Sequence, residues 1–145
     1  MKITKIYLTS SLLFLPLLVG CQQQPSPETR MEIAKLSFPS VYKLVEFNSD
    51  WDVGESVETY TLIIPSSEYQ RIRMEIENKS FFQYVKNAKS RPTVYLMMSD
   101  MKKLTEVAYW FEGEYAYQIY SPDPGAVVTV TLRNDSLLDI GYVDL

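Results

Sequence analysis

Val127-Val-Thr-Val-Thr-Leu132 and Leu137-Leu-Asp-Ile-Gly-Tyr-Val143, joined through Arg133-Asn134-Asp135-Ser136, decide how this chain folds. Both runs are rich in β-branched and aliphatic residues, and the residues between them are turn formers. A three-residue loop at Asn134-Asp135-Ser136 sets Leu132 opposite Leu138, Val130 opposite Ile140 and Val128 opposite Tyr142. Side chains alternate along a strand, so all six share one face. Thr129, Thr131, Arg133 and Asp139 take the other, which suits water. The hairpin therefore belongs to an antiparallel sheet with an apolar face that needs a cover.

The pattern extends upstream. Thr93–Met98, Thr105–Phe111 and Tyr115–Tyr120 read as further strands. A three-residue loop at Glu112-Gly113-Glu114 places Val107, Tyr109 and Phe111 opposite Ile119, Tyr117 and Tyr115, making one face wholly apolar or aromatic. Turn chemistry alone would also accept a two-residue Gly113-Glu114 turn. Val41–Phe47 and Val57–Ile64 form a hairpin around an Asn48–Gly54 loop, and Pro65 stops the second strand. Between the two β groups, Ser67 with Gln70 fits a capping box, and Tyr69, Ile72 and Ile76 keep helical spacing. Ser80 with Gln83 gives a second start signal before Phe81, Tyr84, Val85 and Ala88. Residues 67–88 are thus expected as one kinked helix or two short ones. The expected fold is α+β: an antiparallel sheet of about six to seven strands in the order ββ-α-βββββ, with the helical segment on one face.

The N-terminal end carries an address. Lys2 and Lys5 precede an apolar run from Leu8 to Val19, and the small Gly20 comes just before Cys21. That is the layout of a secretory signal peptide. The run is shorter than the roughly 20 apolar residues of a membrane span, and Pro16 interrupts it. Leu18-Val19-Gly20-Cys21 resembles the lipobox of bacterial lipoproteins. The resemblance covers residues 1–21 and implies cleavage before Cys21, a diacylglycerol on its sulfur and an acyl chain on its amino group. By the same resemblance, Gln22, in place of the Asp that retains such proteins at the inner membrane of enteric bacteria, points to the periplasmic face of the outer membrane. The expected organisation is a signal peptide over 1–20, a lipidated cysteine and flexible tether over 21–30, and a single α+β domain over 31–145.

Charge and composition narrow the function. Without residues 1–20 the chain has 12 basic and 18 acidic residues, a formal charge of −6. An acidic surface opposes nucleic acid and favours a basic protein partner. With no His and a single Cys, the chain lacks the commonest general base and forms no internal disulfide. Ser40-x-x-Lys43 and Ser99-x-x-Lys102 match the Ser-x-x-Lys dyad of penicillin-binding enzymes. Yet 14 serines and nine lysines give about one such match by chance, and no Lys-Thr-Gly follows. Asn48, Asp50, Asp52 and Glu55 offer oxygens in a loop but depart from calcium-loop spacing, so a solvated turn is the simpler reading. No catalytic residue, metal site or cofactor is assigned.

Aromatic residues remain: 11 Tyr, six Phe and two Trp. Trp51 at a loop tip, and Trp110 with Tyr120 on the sheet's other face, are hard to bury by pattern. Exposed aromatics beside Asp50 and Asp52 suit a protein–protein contact. The expectation is a lipid-anchored, non-enzymatic envelope protein that binds another protein, as an accessory subunit or an inhibitor or immunity-type protein. The alternative is a small peptidoglycan-acting hydrolase or carbohydrate-binding module.

Overall fold

A computed structural model describes residues 26–52, 55–92, 105–123 and 125–145. The expected strand Thr93–Met98, Cys21 and Ser99-x-x-Lys102 lie outside the described residues. The elements run α1 (Pro27–Ile33), β1 (Lys43–Asp52), β2 (Glu55–Ile63), α2 (Ser66–Glu77), β3 (Phe82–Tyr84), a 3₁₀ turn (Ala88–Ser90), β4 (Glu106–Phe111), β5 (Glu114–Ser121), β6 (Ala126–Arg133) and β7 (Leu137–Asp144). One seven-stranded sheet has the order β1-β2-β7-β6-β5-β4-β3, antiparallel throughout except for the β3–β4 pair. The class is α+β.

The β6–β7 hairpin has the register its sequence dictates, with Leu132, Val130 and Val128 opposite Leu138, Ile140 and Tyr142. Burial alternates strictly along β6. Asn134 and Asp135 turn the chain at φ of 52° and 56°, a left-handed conformation these two residue types tolerate. The β2–β7 pairing adds Leu62 and Tyr60 to the same face, against Leu138 and Ile140. Helix α2 presents Tyr69, Ile72 and Ile76 to this face, as their spacing requires, and all three are buried. Helix α1 packs over β6 and β7, and α2 over β4 and β5.

Four expectations are corrected. First, residues 27–30 are not tether. Ser26 caps α1 by accepting the Thr29 amide at 3.3 Å, Pro27 opens the helix and Glu28 lies in its first turn. Proline punctuates linkers, but it also opens helices, and Pro27 does the latter. Second, the box Ser67–Gln70 does not cap α2: Pro65 is the N-cap and makes no side-chain bond. Third, the second helical stretch is strand. After the C-cap Asn78 the chain turns, and Phe82–Tyr84 pairs in parallel with Ala108–Trp110. Pairing to a free sheet edge overrides a weak cap signal, and aromatic residues suit strands.

The fourth correction concerns β4–β5. Phe111 pairs with Glu114 around a two-residue Glu112-Gly113 turn. Their φ values of 49° and 90° match the type I′ geometry favoured in tight hairpins. Relative to the expected register this is a one-residue slip, so Ala108 and Trp110, not Tyr109 and Phe111, flank Tyr117 and Tyr115. A hydrophobic pattern selects a register only where one face of the hairpin meets water. In fact Val107, Phe111 and Ala116 are buried on the other face, and the Arg91 guanidinium sits 3.9 Å over the Phe111 ring. Burial on both sides removes the contrast that selects a register.

Candidate functional site

Two clusters of polar side chains fix the helices. Arg30 of α1 donates two hydrogen bonds of 3.0 Å, from Nε and Nη2, to the Glu58 carboxylate of β2. Glu58 is only 6% exposed, and the Tyr60 hydroxyl donates to it at 3.1 Å. The Arg30 guanidinium also lies 3.5 Å over the Tyr142 ring. Burial, with the Glu58 charge beside it, pushes the Tyr60 hydroxyl up to about 12. The charges are matched and hydrogen-bonded, so the cluster is a latch for α1.

The second cluster ties the segment before β1 to α2. Arg71 bonds Glu68, Glu75 and the Phe38 carbonyl, and Glu75 accepts the Ser37 amide at 2.8 Å. The Ser40 hydroxyl donates to Glu68 at 2.6 Å. That bond and the Arg71 guanidinium hold the Glu68 carboxyl below the usual carboxylate range. Ser40 of the Ser-x-x-Lys motif is therefore committed to Glu68, while Lys43 begins β1 and is exposed.

The remaining feature is the β1 edge. The sequence assigned Asn48–Gly54 to a loop, but β1 continues to Asp52, which pairs with Glu55. Trp51 consequently sits on a strand, opposite Ser56, and is 77% exposed. Leu44 and Phe47 lie on the same face of β1, opposite the buried Leu62 and Tyr60. The Phe47 ring lies 4.7 Å from that of Tyr60 and is still 46% exposed, since the helices cover β4–β7. Val41, Tyr42, Val45, Val57 and Ile63 are also exposed nearby. Val45 marks a bulge, where the register jumps from Leu44 to Glu46.

No known protein family, curated protein or solved structure matches the chain.

Of the residues expected to meet a partner, Trp51 and Asp50 are neighbours on the exposed edge strand but point to opposite faces, and Asp52 ends the same strand. Asp50 accepts the Trp51 amide at 2.8 Å, and Asn48 donates to Glu46 at 2.8 Å. Among the described residues no group of acids is placed to hold a metal ion, and no helix is long and apolar enough to cross a membrane. Trp110 and Tyr120 are not brought to this edge. Five strand spacings separate β1 from β4, about 24 Å. They do not even share a face: the register puts Trp110 beside Tyr115, packed on the core under the helices, and Tyr120 on the reverse side.

The sequence reading missed a second aromatic group, at the far edge. Tyr84, 65% exposed, lies 5.8 Å from Trp110 and 5.2 Å from Phe82 between ring centroids. Its signal was the alternation Phe82-x-Tyr84, which the helical assignment concealed.

Proposed function

We propose that this chain is a lipid-anchored protein of the bacterial envelope that holds another protein at the membrane surface and performs no catalysis itself. Cys21 supplies the anchor, on the strength of the lipobox resemblance, and the outer membrane's periplasmic face is its place. The observation that carries the binding reading is the β1 edge. Leu44, Val45, Phe47 and Trp51 stand exposed along one strand of a chain whose residues 21–145 carry a formal charge of −6. Large exposed apolar groups of this kind mark interaction surfaces, and Trp is the residue type most enriched at binding hot spots. An accessory subunit of an envelope assembly, or an inhibitor of a toxin or hydrolase, would use such an edge.

The test is co-purification of the tagged full chain from envelopes. Trp51→Ala is expected to lower retention of the partner at least tenfold while the unfolding transition stays unchanged. Equal retention by both proteins would remove this edge from the function. A second reading, a carbohydrate-binding module, is favoured by the Tyr84–Trp110 pair, since flat aromatic rings can stack on sugars. Sedimentation with purified cell wall that is lost in Tyr84→Ala would support it.

A further inference from the structure

The two ends of the sheet are built differently. At one end β3 is only three residues long and is followed by a 3₁₀ turn, which blunts that edge. At the other, β1 runs for ten residues, and among the described residues no strand lies beyond it. An open edge presents unpaired backbone N–H and C=O groups to any strand that fits. The side chains along it alternate in chemistry as well. Leu44, Phe47, Ser49 and Trp51 continue the helix-bearing face, whereas Glu46, Asn48 and Asp50 point to the reverse, as does Lys43 at the start of the strand.

We propose that this edge accepts a β-strand from another protein, one that alternates apolar residues with Lys or Arg. The apolar side chains extend the face of Leu44, Phe47 and Trp51, and the cations stand opposite Glu46 and Asp50. The backbone ladder gives affinity and the alternate side chains give selectivity. This rests on the protein-binding reading above and specifies the partner's chemistry.

A second copy of this chain fits poorly. Two β1 strands paired antiparallel about Asn48 set Glu46 of each opposite Asp50 of the other. About Ser49, Glu46 stands at the register of Asp52. About Phe47, Asp50 meets Leu44 across the Val45 bulge. Like charges directly opposite destabilise a sheet, so the acids that invite a basic strand also repel self-pairing.

The full chain in detergent micelles is titrated with a ten-residue peptide alternating Val and Lys. The controls are a peptide alternating Val and Glu, and one with five Val followed by five Lys. The alternating Val/Lys peptide is expected to slow amide exchange over residues 43–52 and to bind about tenfold more tightly than either control, given two favourable cross-strand charge pairs. The double variant E46K/D50K, both sites exposed, should reverse the preference towards the Val/Glu peptide. Equal binding of the block peptide, protection elsewhere than 43–52, or an unchanged preference in the variant would overturn strand addition. A concentration-dependent dimer that protects 43–52 without peptide would give the edge to a second copy and overturn it too. Trp51-dependent capture from envelopes without peptide protection of β1 would sink strand addition and leave the binding reading standing. Loss of both would sink both.

Discussion

Arg30→Met should cost about 3–5 kcal/mol of stability, the range expected when one partner of a buried ion pair is removed. The structure shows why. Glu58 would lose both 3.0 Å bonds from the guanidinium and keep only the Tyr60 hydroxyl among the bonds just described. The Glu58 side chain, 8% exposed, has little water to replace them. The molecule's escape is to undock α1 and let water in. A seven-residue helix is too short to persist alone, so that route forfeits the burial of Met31 and Ala34 as well. Replacing both partners, as R30M/E58L, should recover most of the loss, because an apolar pair of similar volume leaves no orphaned charge. Urea unfolding of the single and double variants at pH 7, with amide exchange over residues 27–34, measures this. An Arg30→Met cost below about 1 kcal/mol would show that residues 27–34 behave as tether, and a double variant no better than the single would show that the orphaned Glu58 charge is not the source of the loss.

Three further outcomes follow from the packing. Tyr60 and Tyr115 hydroxyls are held up to about 12 by burial, and Tyr117 is raised further by burial and by Glu106. The fold therefore favours the neutral phenols: their contribution is intact below pH 10, where unfolded tyrosine begins to ionise, and is lost as pH rises from 10 through about 12. Urea midpoints should be level from pH 8 to 9.5 and fall steeply above 10; a level curve to 11.5 would contradict this. Trp110→Ala should cost about 2 kcal/mol because the ring packs on the core, whereas Trp51→Ala should stay within about 0.5 kcal/mol in the same denaturation assay. Gly113→Ala should cost about 1 kcal/mol by strain at φ +90°, although a Cβ there meets nothing within 4 Å; thermal unfolding would show a neutral effect if the turn were of another type.

The sheet was legible where one face is dry and the other wet. Leu132, Val130 and Val128 found their partners because Thr129, Thr131 and Asp139 mark the solvent side. Between Val107 and Ile119 both faces are largely apolar, and the register was decided by a turn whose residue Glu112 adopts φ +49°. Residue type alone gave no reason to expect that. Ser26-Pro27-Glu28 carried a helix start in plain view, but a neighbouring proline and glutamine run disguised it as linker. Phe82–Tyr84 joined the sheet only because β4 offers an edge, a long-range fact that no local window contains. At the candidate site, Trp51 was singled out correctly as hard to bury, though it stands on a strand and not at a loop tip. Its separation from Trp110 required the strand order, which composition does not encode.

The proposed function requires a partner seated on the β1 edge. A photo-crosslinking amino acid placed at the exposed Ser49, between Phe47 and Trp51 on the same face of β1, in the full chain in living cells should yield one discrete adduct of higher mass, and the same residue placed at the exposed Lys89 should yield none. No adduct at Ser49, or the same adduct from both positions, would contradict a partner seated on this edge.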